Sequence, residues 1–324
     1  MAANADLNAA LAGHNTSFQV MVQDMLAAPD PGKYGLYTET VNGGAAQVLS
    51  LAYTGATPTL RRWEGARVYK DPRAYTTSIQ SYPYEATMPL NRMMVQFDQS
   101  GAVGLMLKDY AGRVVEFFDQ VSSDAYRSNS GVGPLAPDGV ALFSASHTFV
   151  GSAAGTGSNL SASTNLTHSN LVAAETTGAL LTEENGRSYR IAFDELMVGA
   201  RKRRAAMELV GSDRVVIINQ TGVPDTVADG PNLVNAAATR TNVLGGDYTV
   251  VVDARDTGYH WTLRDSKRAK PIVLFITRAP EIINQDTMES TERFANDRFV
   301  MGVEADVGTG GWFWPAVHRG TGTA

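Results

Sequence analysis

Leu60-Arg61-Arg62-Trp63-Glu64-Gly65-Ala66-Arg67-Val68-Tyr69-Lys70-Asp71-Pro72-Arg73 opens a polar stretch that then alternates through Tyr75, Thr77, Ile79, Tyr82, Tyr84, Ala86 and Met88. Its Tyr and Thr content favours strand, so it reads as an extended ribbon. It holds too few large aliphatics to cover a core of its own, and an isolated two-stranded ribbon is marginal in water. Such a ribbon is worth building only where another molecule covers it. The pattern therefore points to assembly ahead of chemistry.

Gln99-Ser100-Gly101 closes the ribbon, and the strongest helical pattern in the chain follows. Val103, Met106, Leu107, Tyr110, Val114, Phe117, Phe118, Val121 and Ala125 recur at the three-and-four spacing of one helical face. Gly112 weakens the pattern slightly, and the turn residues of Ser128 to Gly139 end it. About 25 helical residues at 1.5 Å each make a rod of roughly 37 Å.

Working outward, Thr16 to Ala28 carries a short helical pattern, with Phe18, Met21, Val22, Met25 and Leu26 on one side, stopped by Pro29-Asp30-Pro31-Gly32. Lys33 to Thr59, rich in Gly, Ala and Thr, reads as an extended arm. Beyond the long helix, Ala141-Leu142-Phe143-Ser144-Ala145-Ser146-His147 leads into a loop-like Gly/Ser/Thr/Asn tract ending near Thr167. Helices are expected from Ser169 to Glu184 and from Phe193 to Val210, the second on a partial stripe of Ile191, Leu196, Val198, Ala205 and Leu209. Strands are expected at Arg214–Asn219, Tyr248–Asp253, Pro271–Thr277, Glu281–Gln285 and Arg298–Ala305, with a surface loop over 220–246. There is no internal repeat.

With 324 residues the chain can bury a substantial core as one large or two moderate domains. A formal charge of −6 argues against a dedicated nucleic-acid binder but not against a protein that encloses nucleic acid. The sequence contains no cysteine, which removes disulfides, thiolate metal sites and thiol nucleophiles. Met1-Ala2-Ala3-Asn4-Ala5-Asp6 lacks the features of a signal peptide, no long pro-segment is expected, and no apolar run is long enough for a membrane span.

Residues able to carry chemistry are scattered. None of His14, His147, His168, His260 and His318 stands four residues from another or in a metal-ligand pattern, so they read as structural or surface histidines. Ser144, Ser146 and His147 put hydroxyls beside an imidazole, but without the Gly-x-Ser-x-Gly elbow. Gly151-Ser152-Ala153-Ala154-Gly155-Thr156-Gly157 resembles a phosphate loop in glycine content alone. Glu183-Glu184 and Asp194-Glu195 are paired carboxylates expected at helix ends, Asp194 and Glu195 as partners of an N-terminal helix dipole. Arg201-Lys202-Arg203-Arg204 is the one basic run. Spread around a helix it forms no single stripe, and it reads as a solvated face or a source of inter-subunit ion pairs, with anion or nucleic-acid contact as the other reading. Trp312, Phe313 and Trp314 are expected to anchor a final strand into a core.

In order along the chain, Trp63-x-Gly65-x-Arg67, Tyr84-Glu85, Arg92, Asp98 with Gly101, the long helix, Leu142-Phe143-Ser144-x-x-His147 with its Asn-containing loop, Val250-Val251-Val252-Asp253, Trp261 and Gly311-Trp312-Phe313-Trp314 form a pattern. It resembles the tailed-phage major capsid proteins of the HK97 fold, closest to the Mu-like major head subunit family, over about residues 60 to 318. The 220–246 loop and the Phe193–Val210 region match only loosely.

The resemblance implies an α+β, HK97-like capsid fold. Residues 1–59 would be the N-terminal arm and 60–100 an extended E-loop β-hairpin lying over a neighbouring subunit. Residues 101–137 would carry the spine helix of the peripheral domain, 138–255 the axial domain, and 256–324 the return to the peripheral sheet and C-terminus. The function implied is a major capsid protein that self-assembles into hexamers and pentamers, forming an icosahedral shell around double-stranded DNA that it does not read by sequence. It would be made in the host cytoplasm and reside in the virion, with no membrane, cofactor, metal or catalytic residue. Portal, scaffolding and decoration proteins are its implied partners, any scaffold being a separate protein. The E-loop contacts expected are Arg61, Arg62, Glu64, Arg67, Lys70, Asp71 and Arg73, with Lys70 also the position for a covalent cross-link of the kind some members of the fold make. An encapsulin-like compartment of the same fold, and a soluble enzyme using Asp194, Glu195 and His147, are the alternatives.

Overall fold

The computed structural model describes residues 12–14, 16–24, 34–44, 46–54, 58, 60–69, 71, 74–98, 100–127, 135–148, 156–162, 164–183, 186–211, 214–217, 238–241, 244–285 and 291–322. Lys70, Arg73, Glu184, residues 151–155, most of the 220–246 loop and the 25–32 end of the first helical pattern lie outside them. The chain divides into two compact units, Met1–Leu142 with Lys270–Trp314, and Phe143–Ala269 with Pro315–Ala324.

The first unit begins with helix α1 (16–24), the single turn α2 (Tyr34–Tyr37), and strands β1 (Thr38–Asn42), β2 (Val48–Thr54), β3 (Ala74–Gln80) and β4 (Tyr82–Asn91). Helices α3 (Arg92–Gln96) and α4 (Ala102–Arg127) follow. The second unit holds β5 (His147–Thr148), β6 (Thr156–Gly157), β7 (Leu160–Ser161), α5 (His168–Leu180), β8 (Glu195–Gly199), a 3₁₀ turn at Ala200–Lys202 and α6 (Arg203–Gly211). It continues with β9 (Arg214–Ile217), β10 (Ala238–Thr241), β11 (Thr249–Asp253) and β12 (Trp261–Arg264). The chain re-enters the first unit for β13 (Ile272–Gln285), α7 (Thr291–Asn296) and β14 (Arg298–Gly311), and β15 (Val317–Gly320) belongs to the second.

The expected long helix is α4, and its start has a clear cause. The Asp98 carboxylate accepts from the backbone N–H of Ala102 at 3.0 Å and of Val103 at 2.9 Å, satisfying two donors that no helical carbonyl can reach. Those bonds, the one from Val103 first, outweigh desolvation and hold the carboxyl below the usual carboxylate range. Gly101 takes φ +72° to turn the chain into the helix. Val103, Leu107, Tyr110, Ala111, Val114, Phe118 and Ala125 are buried along one face.

That face lies on a four-stranded sheet of order β1-β13-β14-β4, in which β1 and β13 are parallel and the other pairs antiparallel. Phe299, Met301, Val303, Ala305 and Val307 alternate inward along β14. The first three join Leu90, Val103, Leu107, Val114, Phe18 and Val22 in one cluster. Each fully buried side chain of this size contributes about 1.5–3 kcal/mol. The opposite face of β13 is covered too: Val273 and Phe275 pack with Ile79, Leu49, Leu51 and Trp312. Pro271–Thr277 and Glu281–Gln285, expected as two strands, are one strand whose register shifts between Ile276 and Glu281, around Pro280, which has no N–H to offer the ladder.

Three expectations are corrected here. The antiparallel ribbon pairs Val48–Thr54 with Ala74–Gln80, earlier than the 60–100 stretch suggested, and Tyr82–Asn91 is the edge strand β4 of the sheet. Within 33–59, taken as extended arm, Thr38–Asn42 is a sheet strand. Phe193–Val210 is not one helix. Leu196 to Gly199 are buried on both faces of β8, which sits between β11 and β12 in the second unit's sheet of order β11-β8-β12-β15-β7, and a strand buried on both faces reads as a continuous apolar run. Helix α5 stands close to its expected place.

Candidate functional site

The tip of the ribbon is the most exposed described part of the first unit. Trp63 is 70% exposed, Val68 64% and Tyr69 89%, and Arg61, Arg62, Glu64, Arg67 and Asp71 are exposed with them. The tip holds itself by short-range contacts. Gly65 at φ +79° makes the turn, and Arg61 Nη2 donates to the Ala66 carbonyl at 2.9 Å and Trp63 Nε1 to the Gly65 carbonyl at 2.8 Å. The Arg67 guanidinium lies over the Trp63 ring, 5.1 Å from its centroid, and Arg62 pairs with Glu64 at 3.0 Å. The Trp63-x-Gly65-x-Arg67 spacing is therefore a cation–π clasp across a left-handed glycine. Of the seven residues expected at the E-loop contact, the structure places these five in one stretch; Lys70 and Arg73 are not described.

At its base the ribbon is tied to the sheet. Ser81 N donates to the Gln47 carbonyl at 3.0 Å, which carries the β2–β3 ladder down to the base, and Ile79, buried against Val273 and Phe275, fixes the ribbon to β13. The Gly308-Thr309-Gly310-Gly311 run at the end of β14 has its reason here, because β3 crosses over Gly308 and Gly310 with no room for side chains. Beside this crossing a groove of about 970 Å³ opens between α4 and β4, lined by Tyr82, Tyr84, Phe117, Val121, Arg113 and Asp124 among others.

The candidates for catalysis are not brought together. The His147 ring is fully buried, and its Nε2 meets Asn159 Oδ1 at 3.1 Å, while the same oxygen accepts from Ser144 N at 2.9 Å. This is a structural clasp without access for a substrate. Asp194 accepts from Ser266 N at 2.7 Å and Ser266 Oγ at 2.6 Å. Glu195 pairs with Arg264 on the facing strand, a buried cation held opposite its carboxylate. Neither caps a helix, since the residues that follow form β8; that expectation is corrected. Glu183 pairs with Arg187 at 3.4 Å. His318 is buried, with Nε2 2.8 Å from Ser161 Oγ, and burial pushes its imidazole down to about 4. Among the described residues no three ligating side chains converge on a metal position.

The basic run is placed differently from its expectation on one helix. It straddles the 3₁₀ turn and the start of α6, so Arg201 and Lys202 meet at Tyr259, a residue the sequence reading passed over. No local signal marks Tyr259, because the turn between β11 and β12 that carries it is remote in sequence.

Comparison with solved structures shows the fold. The chain aligns over 92% of its length, and 92% of the other chain, with the capsid of a native GTA particle at 14% identity and a TM-score of 0.54. A chain of Mycobacterium phage Bobi aligns over 92% of each at 12% identity and 0.52. The bacteriophage JBD30 capsid aligns at 12% identity and 0.50, over 90% of this chain and 66% of that longer one. The α+β architecture is thus the HK97-like capsid fold. No curated protein matches the chain. A family model described as Mu-like prophage major head subunit gpT matches residues 7–165 and 215–323, most of the chain, which therefore belongs to that family of shell-forming capsid proteins and not to an enzyme family.

Proposed function

We propose that this head subunit closes into hexamers and pentamers, and that each copy lays the ribbon β2–β3 with its 58–71 tip on a neighbour. The observation that carries the reading is the tip itself: a clasped turn with Trp63, Val68 and Tyr69 open to solvent, bearing Arg61, Arg62 and Arg67 and held, among the described residues, by short-range contacts. Exposed aromatics beside arginines are what interfaces concentrate. In this reading the first unit, with α4 as its spine, is the peripheral domain and the second unit the axial domain. Identical contacts repeated in closed rings join into an icosahedral shell, and many modest contacts sum to a durable one. Double-stranded DNA fills it without sequence readout. Portal, scaffolding and decoration proteins are the further partners implied.

The test is to replace residues 55–73 by an Asn-Gly turn, which leaves β2 and β3 as a two-residue hairpin. The variant subunit should stay soluble, with unchanged far-UV circular dichroism, and form no shells in negative-stain micrographs. Shells of normal size would remove the tip from the assembly contact.

A further inference from the structure

We propose that the tip of the ribbon seats on the outer face of the first unit's sheet in a second copy of this chain, over a row of glutamates on β4, β14 and β13. The inference rests on the tip being an assembly contact and names the surface that receives it. The outer face is the one turned away from α4. Along β14 it carries Val300, Gly302, Glu304 and Asp306, since the residues between them, Met301, Val303 and Ala305, point into the core. The ribbon crosses the same face further along, at Gly308 and Gly310. Strand register sets Glu304 directly between Glu85 on the edge strand β4 and Glu281 on β13. Three carboxylates side by side across a sheet repel one another and destabilise the free subunit.

The chain relieves only part of this repulsion. Arg278 takes Glu304 at 2.9 Å and Asp306 at 3.1 Å. Glu85 accepts from Thr87 Oγ1 at 2.6 Å, but neither it nor Glu281, both exposed, forms an ion pair among the described residues. A solvated face intersperses its charges; here like charges stand in register beside a hollow. Gly302 lies in register between Thr87 and Ile283 and puts no side chain on the face. A depression of about 400 Å³ opens over it, walled by Glu85, Glu304, Pro89 and Ile283, the last 45% exposed. An apolar hollow with an acidic rim suits a flat ring that carries a cation. The tip presents that pair, Trp63 with the Arg67 guanidinium 5.1 Å from its ring centroid. Between Leu60 and Arg73 five cations, Arg61, Arg62, Arg67, Lys70 and Arg73, outnumber two carboxylates, Glu64 and Asp71. Tip and row are thus opposite in sign, and guanidinium groups pair with carboxylates in a directed way that fixes register. Among the described residues no ion pair joins the tip to the row within one chain, where Arg62 is paired with Glu64 inside the tip. The row's counter-charge therefore comes from a neighbour.

The sequence contains no cysteine, so introduced ones report on each other alone. Full-length subunits carrying Ala66→Cys at the tip and Thr87→Cys beside the hollow should, once assembled, give a ladder of covalent oligomers with a short bismaleimide on a denaturing gel. Each single variant should stay monomeric. No ladder from the pair, or a ladder from either single variant, overturns the proposal. Glu85→Lys with Glu281→Lys is the second arm. The free subunit should keep at least the wild-type urea midpoint, because the row loses its repulsion, while shell yield in negative-stain micrographs falls by about tenfold or more. A lowered midpoint, which would assign the row to the subunit's own stability, or an unchanged yield overturns the proposal. The replacement of residues 55–73 keeps this surface distinct from the tip contact itself. Shells lost in that variant but normal with Glu85→Lys and Glu281→Lys leave the tip contact standing and overturn only its place on this face.

Discussion

Gly308 of β14 passes so close beneath Gln80 of β3 that a Cβ on the glycine would lie 2.3 Å from the Gln80 carbonyl oxygen and 3.2 Å from the Ser81 Cα. Both obstacles are backbone, so neither can rotate away. The ribbon and the sheet are joined at a point where only hydrogen fits.

Gly308→Ala should therefore force β3 off β14. Overpacking of this kind costs about 1–3 kcal/mol, which should appear as a lower urea midpoint for the free subunit. Gly310→Ala is the comparison: its Cβ would meet the Ile79 side chain at 2.4 Å, so Ile79→Ala, which costs stability by itself, should cost less in the Gly310→Ala chain than in wild type. Gly308→Ala has no side chain to trim in that way. Equal midpoints for Gly308→Ala and wild type would show that the strands separate at no cost.

Asp98 supplies the second prediction. Its carboxylate serves two N–H groups at the start of α4, so Asp98→Ala should lower the melting temperature of the free subunit, and Asp98→Asn, which keeps an acceptor, should fall between. The folded carboxyl sits below its unfolded value. Its stabilisation is thus complete above the ordinary carboxylate pKa and is lost as pH falls through the folded one. Melting curves of wild type and Asp98→Ala should converge in acid; a gap that persists there would mean that packing, and not the charged cap, sets the difference.

Much of this was legible in sequence wherever the cause is local. The three-and-four spacing of Val103 to Ala125 identified α4, and Gln99-Ser100-Gly101 marked the break before it; the capping by Asp98 shows only in the structure. Elsewhere the cause is distant. Thr262, Arg264 and Asp265 look like loop residues, yet they are buried. Arg264 finds Glu195 across the sheet, Thr262 accepts from Arg319 Nε at 3.3 Å, and Asp265 accepts from Ala192 N at 3.1 Å. Their partners are set by the fold, so no window of neighbouring residues could reveal β12. The same holds at the site. The polar ribbon announced itself by composition, but its pairing strands did not, because β3 is placed by its close crossing over Gly308 and Gly310, which are remote in sequence. Leu196-Met197-Val198 gave an apolar run that suits a helix stripe and a doubly buried strand equally.

His318 gives a pH prediction for the second unit. The unfolded imidazole takes its proton near 6.5, whereas the buried one resists until about 4. Between those values the unfolded chain binds more protons, so stability is unaffected above about pH 6.5 and declines as pH falls toward 4. A displacement of that size corresponds to roughly 3 kcal/mol. His318→Gln, which cannot take a proton and can still meet Ser161, should lose less stability than wild type across that window in urea titrations. Parallel losses would place the acid sensitivity elsewhere.

The ribbon tip should separate subunit stability from assembly. Trp63 touches Arg67 and the Gly65 carbonyl, and its ring is otherwise open to solvent. Removing it strips no core, so Trp63→Ala should leave the free subunit's unfolding free energy within about 0.5 kcal/mol of wild type, and its urea midpoint nearly unmoved. Shell yield should nevertheless fall, because an exposed aromatic of this kind acquires its burial only from a neighbour. Arg61→Glu, Arg62→Glu and Arg67→Glu in one chain should reduce yield further, and added salt should narrow the gap to wild type if the contact is electrostatic. The informative comparison is between the two readouts on the same preparations. A tip that stabilised its own subunit would move midpoint and yield together; a tip that belongs to the interface moves yield alone.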